Sequence, residues 1–301
     1  FFMKIGINTP AYNFKYDISD MAHRAEELGF ESIWFPEHTV MPVGAKTPYP
    51  GTEDGHIPDS MNYMIDPFMG LAAASSVTKN LLLGTGVCLV PEHNPLNLAK
   101  TIATLDYFSG GRVLFGVGTG WLEEESEIMG VNFRRRWSQT REALLAIKEL
   151  WTKQESEFHG EFYDFPLVMC NPKPVQKPHP PIILGGASKN VLERVVEIGD
   201  GWIPVRHTPD EVSAARGRLN RLAESKGRDP DSIEISVFGL RPDREELRAF
   251  ENAGASRAIV GLTSQETGQV INARAGDPSI NQKELRTELE SVASRLCGYL
   301  G

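Results

Sequence analysis

The chain has 301 residues, 41% hydrophobic and 24% charged, which is enough apolar content for one large core or two modest ones. Its formal net charge of -9 argues against a surface for nucleic acid or anionic lipid, since either needs an excess of Lys and Arg over the contact area. Three cysteines, Cys88, Cys170 and Cys297, lie far apart with no pairing signature, which fits a reducing, cytoplasmic setting, and no apolar run reaches membrane-spanning length.

In chain order the pattern alternates strand and helix. Lys4 to Asn8 reads as a strand, and Ile18 to Leu28 as a helix with Asp17 as N-cap and Gly29 at its stop. Ser32 to Phe35 is a second strand, followed by a loop of about thirty residues before Asp66 and Pro67 open another helix. Leu81 to Val90 is a third strand, Leu96 to Phe108 a helix, Arg112 to Val117 a fourth strand and Trp137 to Trp151 a long helix. Aromatics and prolines between Glu155 and Pro181 break the rhythm as a hairpin-like insertion. Ile182 to Leu184, Gly201 to Val205, Ile233 to Phe238 and Arg257 to Gly261 complete the strands. Helical patterns at Asn190 to Ile198, Asp210 to Ser225, Arg244 to Asn252 and Lys283 to Leu296 follow them.

Eight strands, each followed by helical pattern, predict an α/β fold, a single (β/α)8 TIM barrel spanning residues 1–301, with a doubly wound sheet as the runner-up. In a barrel every loop after a strand lies on one face, so the long loops after strands two, four and eight mark the rim of a site. Residues 36–66, rich in Pro, Gly, Tyr and Met, read as a lid, with Met41, Met61, Tyr63 and Met64 lining an apolar pocket. The stretch from Thr263 to Gln282 is polar and irregular.

Five places carry chemistry. Glu37 and His38 follow strand two, and a carboxylate beside an imidazole tunes proton transfer near neutral pH. Glu92 and His93 are further rim candidates, yet the scattered histidines lack metal-ligand spacing, so no metal is expected. Thr85, Gly86 and Val87 break an apolar strand where a bulge or close ligand approach is expected. In RVLFGVGTG, Arg112 to Gly120, the glycines recur every second residue, which is not the G-x-G-x-x-G spacing; the run predicts a buried strand whose end lets a ligand approach the backbone. Gly185, Gly186, Ala187 and Ser188 lie between a strand and a helix, where small residues expose N–H groups to an anion, or where Ser188 simply caps the helix.

Five short motifs stand in order: SIWFPEH, LLLGTGV, RVLFGVGTGW, PIILGGAS and GDGWIP. Through them the chain resembles the luciferase-like monooxygenase superfamily, in particular its deazaflavin F420-dependent branch, as far as about Gly261. The resemblance implies His38 as active-site acid/base or charge stabiliser with Glu37 as its neighbour. It also implies a cis peptide between Gly86 and Val87 against the cofactor ring, and ring-edge contacts from Thr119 and Gly120. The phosphate turn would be Gly185 to Ser188, with charge added by Lys189 and Arg206. Trp121 departs from relatives that carry an acid there, which puts sugar-phosphate dehydrogenation in doubt. Glu123, Glu124 and Glu125 are expected on a first helical turn, solvated or structural, with Glu125 paired to Arg136 and the run Arg134 to Arg136 neutralising them. The implied function is hydride transfer between F420 and a small, apolar organic substrate. The alternatives are an FMN-dependent monooxygenase, and a flavin-binding protein without turnover. Family members often dimerise, so a homodimer is expected, although the sequence marks no interface.

Overall fold

A computed structural model describes residues 3–8, 17–262 and 282–301. Eight parallel strands form its centre: β1 (Lys4–Asn8), β2 (Ser32–Phe35), β3 (Leu82–Thr85), β4 (Val113–Gly118), β5 (Ile182–Gly185), β6 (Gly201–Ile203), β7 (Glu234–Leu240) and β8 (Arg257–Gly261). Each pairs with the next, and β8 returns to β1 in register from Lys4 opposite Arg257 to Asn8 opposite Gly261. The ring is closed, so the chain is a TIM barrel and the doubly wound alternative falls.

Nine helices of the described residues surround it: α1 (Ile18–Glu27), α2 (Pro67–Val77), α3 (Pro95–Ser109), α4 (Glu123–Ile128), α5 (Arg136–Thr152), α6 (Val191–Ile198), α7 (Pro209–Ser225), α8 (Arg244–Asn252) and α9 (Gln282–Arg295). Local chemistry sets their starts. The Asp17 carboxylate accepts from the N–H groups of Ser19 and Asp20, and Asp66 accepts from Met69 N–H ahead of Pro67. Thr208 and Glu211 form a reciprocal capping box at the start of α7. The expected insertion is an antiparallel hairpin of Ser156–His159 and Asp164–Val168.

Two apolar layers result. One lies between strands and helices, while Trp34, Leu114, Ile183, Ile203 and Ile259 fill the barrel interior with Leu82, Val87 and Phe238 against them. Trp34 needs space that only glycine leaves: a Cβ on Gly84 would stand 2.3 Å from its ring. Beside that layer the Arg257 guanidinium, 1% exposed, is held by Glu31, Glu234 and Ser236, so its buried charge is fully paired.

Strand three differs from its expected form. The apolar run from Leu81 to Val90 is not one strand: β3 stops at Thr85, the Gly86–Val87 peptide is cis, and pairing with β4 resumes at Cys88–Leu89. This kink explains the alternate glycines of β4. A Cβ on Gly116 would lie 1.9 Å from the Thr85 carbonyl oxygen, and one on Gly118 would lie 2.4 Å from Val87 Cγ2. These glycines make room for the neighbouring strand, not for a ligand. Strand six also ends early, at Ile203, with Val205 bridging to Phe238. Residues 263–281 of the expected irregular stretch lie outside the described residues, and Gln282 opens α9.

Candidate active site

The site grows from two adjacent residues that part company. In extended chain, consecutive side chains point to opposite sides. After β2, Glu37 therefore turns toward the segment following β3, and His38 turns toward α4. Glu37 Oε1 lies 2.9 Å from His93 Nε2, and its Oε2 accepts from Leu89 N–H at 2.5 Å. Burial works against a charged Glu37, but the His93 contact and the Leu89 N–H outweigh it and hold the carboxyl below its usual range. His93 moves the other way: burial opposes its charge, yet Glu37 raises it above the ordinary imidazole value. Each group thus favours the charged form of the other. Cys88 joins them, so that Glu37, Cys88 and His93 bring ligand-type atoms within 4.8 Å of one another. Burial, then the Glu37 charge, keeps that thiol protonated.

Glu37 is thus not the partner of His38. That role belongs to Glu125, whose Oε2 lies 2.5 Å from His38 Nδ1, with side-chain exposures of only 6% for His38 and 1% for Glu125. The other oxygen of Glu125 accepts from the N–H groups of Thr39 and Val40. The expected Glu125–Arg136 pair is absent. Arg136 instead donates to the carbonyls of Gly120 and Phe133 and lies over the Phe133 ring, while Arg135 forms a forked pair with Glu161. Arg135 is thus turned away from the acidic run, while Arg136 keeps an electrostatic interaction with Glu123. A signal for Glu125 did exist in the sequence. Leu122, Glu125, Ser126 and Met129 recur at helical spacing, and Leu122, Glu125 and Ser126 are buried, so Glu125 sits on the apolar face of α4.

Trp121 completes the group. Its indole N–H donates to His38 Nε2 at 3.1 Å, and its ring meets Tyr49 of the long loop with centroids 5.1 Å apart. That loop is pinned from α4: Glu124 accepts from Lys46 and Thr47 N–H, contacts that bring its carboxyl down to about 2. Arg206, in left-handed conformation with φ of 58, reaches across to the Gly51 carbonyl. Of the residues expected to make an apolar pocket, Tyr63 is exposed and Met41, Met61 and Met64 are half-buried; Tyr49 is the loop aromatic that reaches His38's surroundings.

Glu92 is the remaining acid of this wall. Its Oε1 meets the Ser126 hydroxyl at 3.4 Å, while its buried Oε2 has no partner among the described residues. Burial first, then the charges of Glu125 and Glu37, pushes it up to about 8.

Next to β4 in the ring, the chain after β5 makes a small cradle. Gly186 has φ of +120, and a Cβ there would point into open space. Among the described residues nothing accepts from the N–H groups of Ala187, Ser188 and Lys189. Ser188 is not the helix cap: α6 begins at Val191 with Asn190 at the cap position, and the Ser188 hydroxyl accepts from Arg194. Thr119 and Gly120 stand at the end of β4, where Gly120 has φ of +80. Gly86 and Val87 stand on the neighbouring strand, with a Gly86 Cβ position 2.7 Å from Phe238.

The closed parallel barrel gathers the His38–Glu125 pair and the glycine turn after β5 at the carboxyl ends of its strands, the face where such barrels place their sites. The chain belongs to the luciferase-like monooxygenase family, whose profile matches residues 3–287. It is 38% identical over 245 residues to an uncharacterized protein of Mycobacterium tuberculosis, covering 80% of this chain and 85% of that one. An F420-dependent glucose-6-phosphate dehydrogenase of Amycolatopsis mediterranei is 30% identical over 262 residues, covering 83% of this chain and 72% of the relative. An FMNH2-dependent dimethylsulfone monooxygenase of Pseudomonas putida is 30% identical over 210 residues, covering 68% and 58%. The solved F420-dependent tetrahydromethanopterin reductase of Methanopyrus kandleri has the same fold, with a TM-score of 0.72 at 16% identity over 100% of both chains. The family is one of oxidoreductases and monooxygenases acting on small molecules, with relatives that use F420 or FMN. Among the described residues no helix is long and apolar enough to cross a membrane.

Proposed function

We propose that this protein is an F420-dependent oxidoreductase that transfers a hydride between the deazaflavin and a small, apolar organic substrate. The observation that carries the reading is the buried His38–Glu125 pair at the barrel mouth, because hydride transfer to or from a carbon bearing oxygen also requires a proton to be placed. The F420-dependent relative also matches a larger share of this chain than the FMNH2-dependent one.

The residues present fit such a cofactor. The open cradle at Gly186, with N–H groups of Ala187, Ser188 and Lys189 unpartnered among the described residues, suits a phosphate in a chain that is acidic overall. Gly86, Val87, Thr119 and Gly120 offer backbone and small side chains for a flat ring. Arg206 is engaged with the loop carbonyl of Gly51, so its part is to hold the lid over the cradle side. When bound, the deazaflavin supplies hydride acceptance or donation. His38 holds or moves the proton at Nε2, Glu125 orients the ring through Nδ1 and stabilises its charged form, and the long loop excludes water.

Side-by-side calorimetric titrations with F420 and FMN test the proposal. Tight F420 and weak FMN binding is the expected result, with Gly186→Ala weakening F420 at least about tenfold by filling the cradle. A preference for FMN would move the protein to the reduced-flavin monooxygenase branch. Binding of neither would favour a protein that has kept the barrel without turnover.

A further inference from the structure

Both ring nitrogens of His38 are engaged, and they are engaged in a way that fixes the proton. The indole nitrogen of Trp121 is a donor only, so the 3.1 Å contact requires a lone pair on His38 Nε2. The carboxylate of Glu125 is an acceptor, so the 2.5 Å contact places the ring proton on Nδ1. His38 is therefore neutral in this arrangement, with Nε2 capped by an indole standing edge-on at 78°. The same indole packs on Tyr49 of the loop, with centroids 5.1 Å apart.

We propose that Trp121 is a positioning residue that holds His38 unprotonated at Nε2 and makes that state depend on the long loop. The inference rests on the reading of His38 as the proton-handling group. A second proton on Nε2 would set two N–H donors against each other, so the ring takes it up only when the indole leaves. A substrate reaching Nε2 must likewise displace the indole, and the group that replaces it must donate to the lone pair, as a hydroxyl does. Tyr49 is the lever, because movement of the loop removes the ring against which the indole rests. The charged and titratable groups around His38 are Glu125 and Glu92 from the α4 and β3 sides, Glu124 at the loop, Tyr49 within it, and the Glu37–His93 pair beyond.

The test is nitrogen-edited NMR of the histidine rings at pH 7 in the cofactor-free protein, with the His38 signals assigned by their loss in His38→Asn. The wild type is expected to show Nδ1–H and a bare, hydrogen-bonded Nε2. Trp121→Phe, which keeps an aromatic ring and removes the donor, is expected to shift the Nε2 nitrogen resonance, because its lone pair loses the indole N–H. Tyr49→Ala is expected to move it in the same direction by less. An Nε2 resonance unmoved in Trp121→Phe, with the thermal melt of the variant unchanged, overturns the proposal, as does a wild-type ring protonated at Nε2. Because no cofactor is present, failure to bind F420 would refute the functional reading and leave this result standing, whereas an unmoved Nε2 resonance would refute this inference even if F420 binds.

Discussion

Glu92→Gln isolates the effect of carrying a carboxyl inside the acidic wall of the site. Glu92 is 8% exposed, its Oε2 lacks a partner among the described residues, and burial together with Glu125 and Glu37 raises it from 4.5 to about 8. The folded chain thus holds this proton more tightly than the unfolded chain does. Below pH 4.5 both states are protonated and nothing is lost. As pH rises through the window from 4.5 to about 8 the unfolded chain releases its proton while the folded chain keeps it, so stability falls. At 1.36 kcal/mol per unit the loss reaches about 3 kcal/mol by pH 7 and about 5 kcal/mol once the folded carboxyl also ionises. Glutamine keeps the acceptor for the Ser126 hydroxyl and cannot ionise. The variant is therefore expected to match the wild type near pH 4 and to exceed it by about 3 kcal/mol at pH 7, read from urea unfolding at fixed salt. Stability curves that run parallel from pH 5 to pH 9 would refute the reasoning, since a carboxyl titrating at its ordinary value has no such window.

Other expectations concern the same mouth. Glu125→Gln keeps the shape of the His38 partner and removes its charge, so turnover should fall roughly hundredfold in stopped-flow assays while cofactor affinity stays within about twofold. Glu124→Ala frees the N–H groups of Lys46 and Thr47, and tryptic cleavage after Lys46 should quicken by about tenfold. The carboxylate of Glu124 is lowered, so its hold on the loop is present above pH 4.5 and weakens as pH falls toward about 2; proteolysis of the wild type should accelerate in the same direction, checked with an acid-active protease. Gly118→Ala should destabilise by about 1 to 3 kcal/mol as the Val87 side chain gives way, and Gly116→Ala by more, because its obstacle is the Thr85 backbone; thermal melts would separate them.

Much of the barrel was legible in the chain itself. The apolar runs at Lys4–Asn8, Ser32–Phe35 and Arg257–Gly261 lie at the observed strand positions, and Asp17 and the Asp66–Pro67 pair mark helix starts, because pleat, pitch and capping are settled by residues within a few positions of one another. The site was legible only as a set of candidates. The sequence marks His38 but offers the residue beside it as its carboxylate, whereas extended chain sends adjacent side chains apart and Glu37 goes to His93.

What the sequence determined by itself was the order and type of the elements, a count of eight strands, and the family motifs; closure of those strands into a ring came from the β8–β1 pairing. What only the tertiary structure decided was which of three consecutive glutamates faces inward, where the Trp121 indole places its proton, and why β4 is rich in glycine. The reason is distance along the chain: Glu125 meets His38 across 87 positions, and Gly116 and Gly118 serve a kink some thirty residues earlier. Contacts of that span exist only once eight strands have closed and brought the loops after β2, β3 and β4 to one mouth.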